Sequence, residues 1–171
     1  MKDLKRLCQL KPKEWILIYR GSRDGFSSQM FHSKCDRSLL TLTIIQTTDN
    51  HVFGGFTTRD WSQSRVKKNH YKRDPNAYLF SLRNKFRKPI RIHCSEPNYA
   101  ICCKNKFGPI FGGGIDVCIF DDSNLHSRNF SRLGCSYKHP LFDYESNEAH
   151  TFLAGSQYFQ TKEIEVYCKI L

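Results

Sequence analysis

The sequence predicts a mainly β domain of the α+β class with short flanking helices, and three observations predict it. Apolar segments are short and interrupted by Gly, Asn, Asp and Ser. Aromatic residues are plentiful, with 13 Phe, 8 Tyr and 2 Trp, and several segments alternate apolar and polar residues. At 171 residues the chain matches one domain of ordinary size, able to bury a core without metal or disulfide staples. The expected organisation is a short helical lead-in over residues 1–12 and a single domain over 13–171.

Leu4, Leu7 and Leu10 recur at three-residue spacing, which predicts a short N-terminal helix ended by Pro12. Trp15 to Tyr19 is apolar on both alternations and rich in β-branched residues, the pattern of a strand covered on both faces and hence of a central strand. Gly21 and Gly25 bracket a turn. A short helix then starts at Ser27 as N-cap, with Phe26 packing on Phe31 as a staple and with His32 and Asp36 on one face. Leu40 to Thr47 and Val52 to Thr57 form a hairpin about Asp49-Asn50, and the Gly54-Gly55 pair inside its second strand marks a bulge or a close approach of another group.

The polar segment between Trp61 and Asp74, containing Arg65, Lys67, Lys68, Lys72 and Arg73, lacks apolar periodicity and reads as an exposed loop. Strands are expected again at Ala77 to Leu82, Ile90 to His93, Ala100 to Cys103 and Asp116 to Phe120, whereas Phe107 to Gly114 reads as a wide glycine-rich turn or bulge. Residues 121 to 148 read as irregular surface pinned by Phe130, Tyr137 and Phe142. The chain closes on Glu163 to Ile170, where Ile164, Val166, Cys168 and Ile170 share one face.

The formal net charge is +11, unevenly spread. Residues 1–110 carry 22 Lys/Arg against 8 Asp/Glu, giving +14, and residues 111–171 carry 5 against 8, giving −3. Such a basic region attracts an acidic protein, nucleic acid or an anionic membrane, and composition does not choose among them. No run approaches the roughly 20 apolar residues of a membrane-spanning helix. Charges at Lys2, Asp3, Lys5 and Arg6 argue against a secretory signal. A cytoplasmic protein with its eight cysteines reduced is therefore expected.

In order and spacing, several segments together resemble the TLDc family of eukaryotic oxidation-resistance proteins. They are Trp15-Ile-Leu-Ile-Tyr-Arg-Gly-Ser-Arg-Asp-Gly-Phe26, Phe31-His-Ser-Lys-Cys-Asp36, Thr41 to Ile45, Phe53-Gly-Gly-Phe56 with Trp61, Ala77 to Leu82, Gly108 to Gly114 with Asp116, and Phe152-Leu-Ala-Gly155 with Glu163 to Tyr167. The resemblance implies a two-layer antiparallel β-sandwich with short flanking helices, present here as a stand-alone domain. It also implies a role in protection against oxidative stress and, for several members, binding to the vacuolar-type proton pump and regulation of it. The family-motif residues Gly21, Asp24, Gly25, His32, Cys35, Asp36, Gly54, Gly55, Gly108, Gly112, Gly113, Gly114, Asp116, Gly155, Glu163 and Glu165 are read as structural.

His32, Cys35 and Asp36 fall within about one helical turn, the kind of cluster a thiol nucleophile and its base use, so a thiol-dependent redox enzyme or scavenger acting through Cys35 is one alternative. Against it, triads assemble from distant segments. His93-Cys94 and Cys102-Cys103 lack the spacing of a zinc knuckle, and adjacent strand residues point to opposite faces. No metal or other cofactor is expected. The glycine-rich segment at 107–114 lacks the Gly-Lys-Ser/Thr ending of a P-loop. The reading that remains is a noncatalytic interaction module. Its expected contact residues are Arg65, Lys67, Lys68, Lys72 and Arg73, joined by Arg83, Lys85, Arg87 and Lys88, for a partner with an acidic surface such as the proton pump or another multisubunit assembly. With Tyr71 and Phe86 interleaved, the same loops leave nucleic-acid binding as a second alternative.

Overall fold

A computed structural model describes residues 14–64 and 70–170. The predicted N-terminal helix lies outside the described residues, as do Arg65, Lys67 and Lys68. The strands are β1 (Trp15–Arg20), β2 (Thr41–Thr47), β3 (Val52–Thr57), β4 (Tyr71–Lys72), β5 (Tyr78–Arg83), β6 (Ile90–His93), β7 (Ile101–Cys102), β8 (Phe107–Phe111), β9 (Val117–Phe120), β10 (Asn129–Ser131), β11 (Tyr158–Phe159) and β12 (Thr161–Lys169). The α-helices are α1 (Gly21–Asp24), α2 (Ser28–Cys35) and α3 (Asn147–Thr151).

Among the described residues the strands form two six-stranded sheets, in the orders β1-β12-β2-β3-β5-β6 and β11-β10-β9-β8-β7-β4. Neighbouring strands in both are antiparallel. The fold is a two-layer sandwich with short helices at its flanks, as the resemblance implies. β2 shows why the layers meet as they do. Its alternation sends Thr41, Thr43 and Ile45 inward and leaves Leu42 and Ile44 on the outer face. Between the sheets a chain of edge-to-face aromatic pairs runs Tyr19–Phe31–Trp61–Phe111–Tyr137, with centroids 5.4 to 6.3 Å apart. Each such buried ring contributes roughly 1.5–3 kcal/mol by leaving water.

Gly55 sets how closely the layers approach, because a Cβ there would stand 2.6 Å from the Phe111 ring of the opposite sheet. The close approach predicted for the Gly54-Gly55 pair is therefore real: Gly55 serves inter-sheet packing, while Gly54 makes room within its own sheet for Thr43 O and for the Phe80 ring.

Five readings need correction. β1 is an edge strand, not a central one. Its apolar residues on both faces reflect a second, outer cluster on this sheet, in which Trp15, Phe56 and Tyr167 pack around Leu42, Tyr78 and Phe80. Between Trp61 and Asp74, Tyr71-Lys72 is not loop but a short strand that pairs with β7. Phe107 to Phe111 is a strand, irregular between Phe107 and Ile110, and the turn begins only at Gly112. Residues 121–148 contain β10 and the start of α3, whose N-cap Ser146 accepts from Ala149 N at 3.1 Å. Ile164 and Val166 are buried as expected, but Ile170 lies past the end of β12 and is 51% exposed.

Candidate functional site

The Gly21-Ser-Arg-Asp-Gly25 motif and the Glu163/Glu165 pair meet across β1 and β12. Arg20 donates Nε and Nη2 to Glu165 Oε1 at 2.9 and 2.7 Å, and Tyr167 donates its hydroxyl to the other carboxylate oxygen. Ser22 N donates to Glu163 Oε1 at 3.0 Å, and the Ser22 hydroxyl bonds the second oxygen of that carboxylate. Asp24 accepts from Arg20 N, and its hydrogen bond from Arg23 holds its carboxyl down to about 2. These polar groups answer one another, tying the single turn of α1 to the last strand.

His32 and Cys35 sit on α2 and Asp36 is its C-cap, while the N-cap Ser27 accepts from Met30 N. His32 Nδ1 lies 2.6 Å from Asp36 Oδ1, while Nε2 faces the carbonyls of Phe107 at 2.9 Å and Lys104 at 3.2 Å. Both ring nitrogens are occupied, so neither is available to activate Cys35. The Cys35 thiol is fully buried, and burial, reinforced by the nearby Asp36 carboxylate, pushes it well up. A nucleophilic cysteine needs the opposite environment. The cluster pins α2 to the start of β8.

The glycine-rich turn spends its own donors internally. Gly112, at φ +90°, donates its N–H to Ala100 O, and Gly113 N donates to Ser136 Oγ at 2.9 Å. The Asp116 carboxylate fills the concavity opposite, accepting from the backbone N–H groups of Gly134, Cys135, Ser136 and Tyr137 at 2.9 to 3.2 Å. Asp116 thus occupies the place an external anion would take in a backbone nest. Burial pushes its carboxyl up to about 6, against the opposing pull of the four N–H donors.

The basic segments are divided. Lys72 is not free: its Nζ pairs with Asp60 Oδ1 at 2.7 Å and also donates to Asp60 O. Burial disfavours ionised Asp60, yet the bonds from Lys72 and Ser62 win and lower its pKa. Arg59 Nε donates to Arg73 O at 2.8 Å, and Arg59, Asp60, His70, Tyr71, Lys72 and Arg73 help line a groove of about 360 Å³. Arg83, Lys85, Arg87 and Lys88 are exposed at the other end of β5. A six-residue strand spans roughly 17–20 Å, so Arg73 and the 83–88 loop are not one continuous patch. That loop is held firmly. The Asn84 side chain bonds Ser81 Oγ, Lys88 O and Phe86 N, and Phe86 stacks on Phe142.

Reading the sequence for basic runs missed Arg128 and Arg132, which flank Phe130 at alternate positions and line a second groove with Phe120, Gln157 and Tyr158. The alternation Arg128-Asn-Phe-Ser-Arg132 was the available signal.

Cys35, Cys94, Cys102, Cys103, Cys118, Cys135 and Cys168 are free. Among the described residues no three His, Cys, Asp or Glu side chains form a metal-holding group, and no helix is long and apolar enough to cross a membrane. No curated protein matches the chain. A family model, described as the TLDc domain, matches residues 2–168. The match covers nearly the whole chain. The chain belongs to the TLDc domain family.

Proposed function

We propose that this domain is a noncatalytic interaction module that docks through basic loops onto an acidic surface of a large assembly, the vacuolar-type proton pump being the assembly the family suggests. TLDc membership links the chain to oxidative-stress biology, and TLDc domains are as a rule noncatalytic. The observation that carries the reading is the rigid loop after β5. Lys85, Arg87 and Lys88 are exposed on it and form no ion pair with a carboxylate among the described residues, while Asn84 and Phe86 fix the backbone beneath them. Preorganised, unneutralised charge favours fast, salt-sensitive association with an acidic partner. Lys72 supports the reading less, because Asp60 already neutralises it. Arg73, at the other end of β5, is a separate basic position and carries less of the reading.

The test is association of the purified chain with purified proton pump at several salt concentrations. Reversal of Lys85, Arg87 and Lys88 to Glu is expected to slow association about tenfold or more and to flatten its salt dependence, with thermal stability unchanged. Association indifferent to that reversal removes the loop from the interface. No association by the parent chain at low salt rejects the pump as partner.

A further inference from the structure

On the outer face of the second sheet four aromatic rings lie in a row across four adjacent strands. Phe107 on β8 meets Phe120 on β9 at 5.0 Å, Phe120 meets Phe130 on β10 at 6.4 Å, and Phe130 meets Tyr158 on β11 at 6.3 Å. The register explains the row. Phe107 pairs directly with Phe120 and Phe130 with Tyr158, while Val117 and Ile119 face the core and send Cys118 and Phe120 outward. Buried Cys102, Ile110 and Cys118 lie beside the rings on the same face, and Phe107, Phe120 and Phe130 pack against them. Tyr158 is 60% exposed at the open end.

A second line crosses the first at Phe130. Asn129 and Ser131 are fully buried, so Arg128 and Arg132 stand on the same side as Phe130 and line one groove of about 420 Å³ with Phe120, Ser127, Gln157 and Tyr158. Four residues of strand place the two arginines about 13 Å apart. Arg132 is tied at its end to Gly114 O at 3.1 Å and paired with the Glu145 carboxylate at 3.2 Å, so its charge is already answered and it shapes the groove, leaving Arg128 as the uncompensated cation there. The Arg128 side chain is exposed and has no hydrogen bond or ion pair among the described residues. At the other end of the aromatic row, Lys104 Nζ lies 5.9 Å over the Phe107 ring.

A rigid sheet face bearing aromatic rings on successive strands, with cations at its ends and along the crossing strand, has the two components a single-stranded nucleic acid needs. Rings stack on bases regardless of sequence, and guanidinium groups neutralise the backbone. An acidic peptide would use Arg128, but it would leave the exposed Tyr158 ring without a stacking partner. We infer that the outer face of the second sheet, centred on Phe130 and bounded by Arg128, Arg132 and Tyr158, binds single-stranded nucleic acid. This site is separate from the basic loop after β5, which belongs to the first sheet, so each stands or falls alone.

Fluorescence anisotropy with a short labelled oligouridylate tests it, using the full chain at several salt concentrations. A duplex of equal length and polyglutamate serve as competitors. The parent chain is expected to bind the single strand, with affinity falling as salt rises. Tyr158→Ala should weaken binding about tenfold by removing a stacking face. Arg128→Glu should weaken it at least as much and reduce the salt slope by about one or more. Both positions are exposed, so unchanged thermal unfolding of the variants separates lost binding from lost fold. The inference is overturned if the parent fails to bind at low salt, or if Tyr158→Ala binds like the parent. It is equally overturned if polyglutamate or duplex competes as well as the single strand, the former pointing to an acidic protein instead.

Discussion

Tyr137 donates its hydroxyl to the carbonyl of Ala100 at 2.7 Å, and both residues are wholly buried. The bond joins the loop that cradles Asp116 to the entry of β7, and the same ring meets Phe111 edge-on. Tyr137→Phe keeps the ring and removes the bond. Ala100 O retains the N–H of Gly112 at 3.0 Å, so the expected loss is about 1 kcal/mol, or 2–4 °C in Tm for a chain of this size. Tyr137→Ala also empties the ring's space and should cost about 3–5 kcal/mol. Equal denaturation midpoints for the two variants would remove the ring from the core.

Val166 and Ile170 lie near the end of the same segment, one fully buried and one half exposed. Val166→Asp puts a charge without a partner between the sheets and should cost several kcal/mol, enough to threaten folding. Ile170→Asp should change stability by less than about 0.5 kcal/mol. Urea unfolding of the pair measures where the inward face of β12 ends, and equal losses would contradict the burial described.

The pH dependence of stability should carry the mark of Asp116. Its carboxyl titrates at about 6 in the fold against an ordinary value of 3.8, so between those values the native state binds more protons than the unfolded chain. The associated stability is fully present below the unfolded value and is lost as pH rises through about 6. The loss is on the order of 3 kcal/mol. Asp116→Asn removes this dependence. It also turns an amide N–H₂ toward the backbone N–H of Ser136 or of its three neighbours, lowering stability by about 1–3 kcal/mol. Unfolding free energies of parent and variant measured across that window check the sign. A parent whose stability rises relative to the variant through the window contradicts it.

Thiol reactivity should follow burial. Cys103 and Cys118 are pushed up to about 12 by burial, and Cys35 and Cys102 are buried too. Cys94, Cys135 and Cys168 are only partly covered. Cys102 and Cys118 both pair with Ile110, from opposite sides. Two strand spacings put their Cα atoms about 10 Å apart, too far for a disulfide. Native alkylation followed by mass mapping should label Cys94, Cys135 and Cys168 well before the other four, and denaturation without reductant should expose all. Early labelling of Cys35 would reopen a nucleophilic role for it.

Periodicity and turn chemistry are local, and what depends on them was legible in the sequence. The hairpin of β2 and β3, the strand Ile90–His93, the inward Ile164 and Val166, and the Ser27 cap all follow from residues within a few positions of one another. Sheet order is not local. Trp15 to Tyr19 reads as a covered strand whether its cover is two neighbouring strands or an apolar cluster on the outer face, and only the pairing of β1 with β12 alone makes it an edge. Lys72 reads as one cation of a basic run, and what neutralises it is Asp60, twelve residues earlier, delivered to the same groove by the sandwich. Asp116 reads as a motif carboxylate, and its role as the internal anion of a nest comes from four N–H groups about twenty residues later in the chain. The row of Phe107, Phe120, Phe130 and Tyr158 spans 51 positions, since cross-strand register is set by the hydrogen-bond ladder and not by sequence spacing. The sequence by itself determined the strands with a clear local pattern, the Ser27 cap and the inward face of β12 up to Val166. The tertiary structure alone decided which charges are cancelled, which rings align and which basic residues remain for a partner, because each of those is a distance between residues that the chain brings together only by folding.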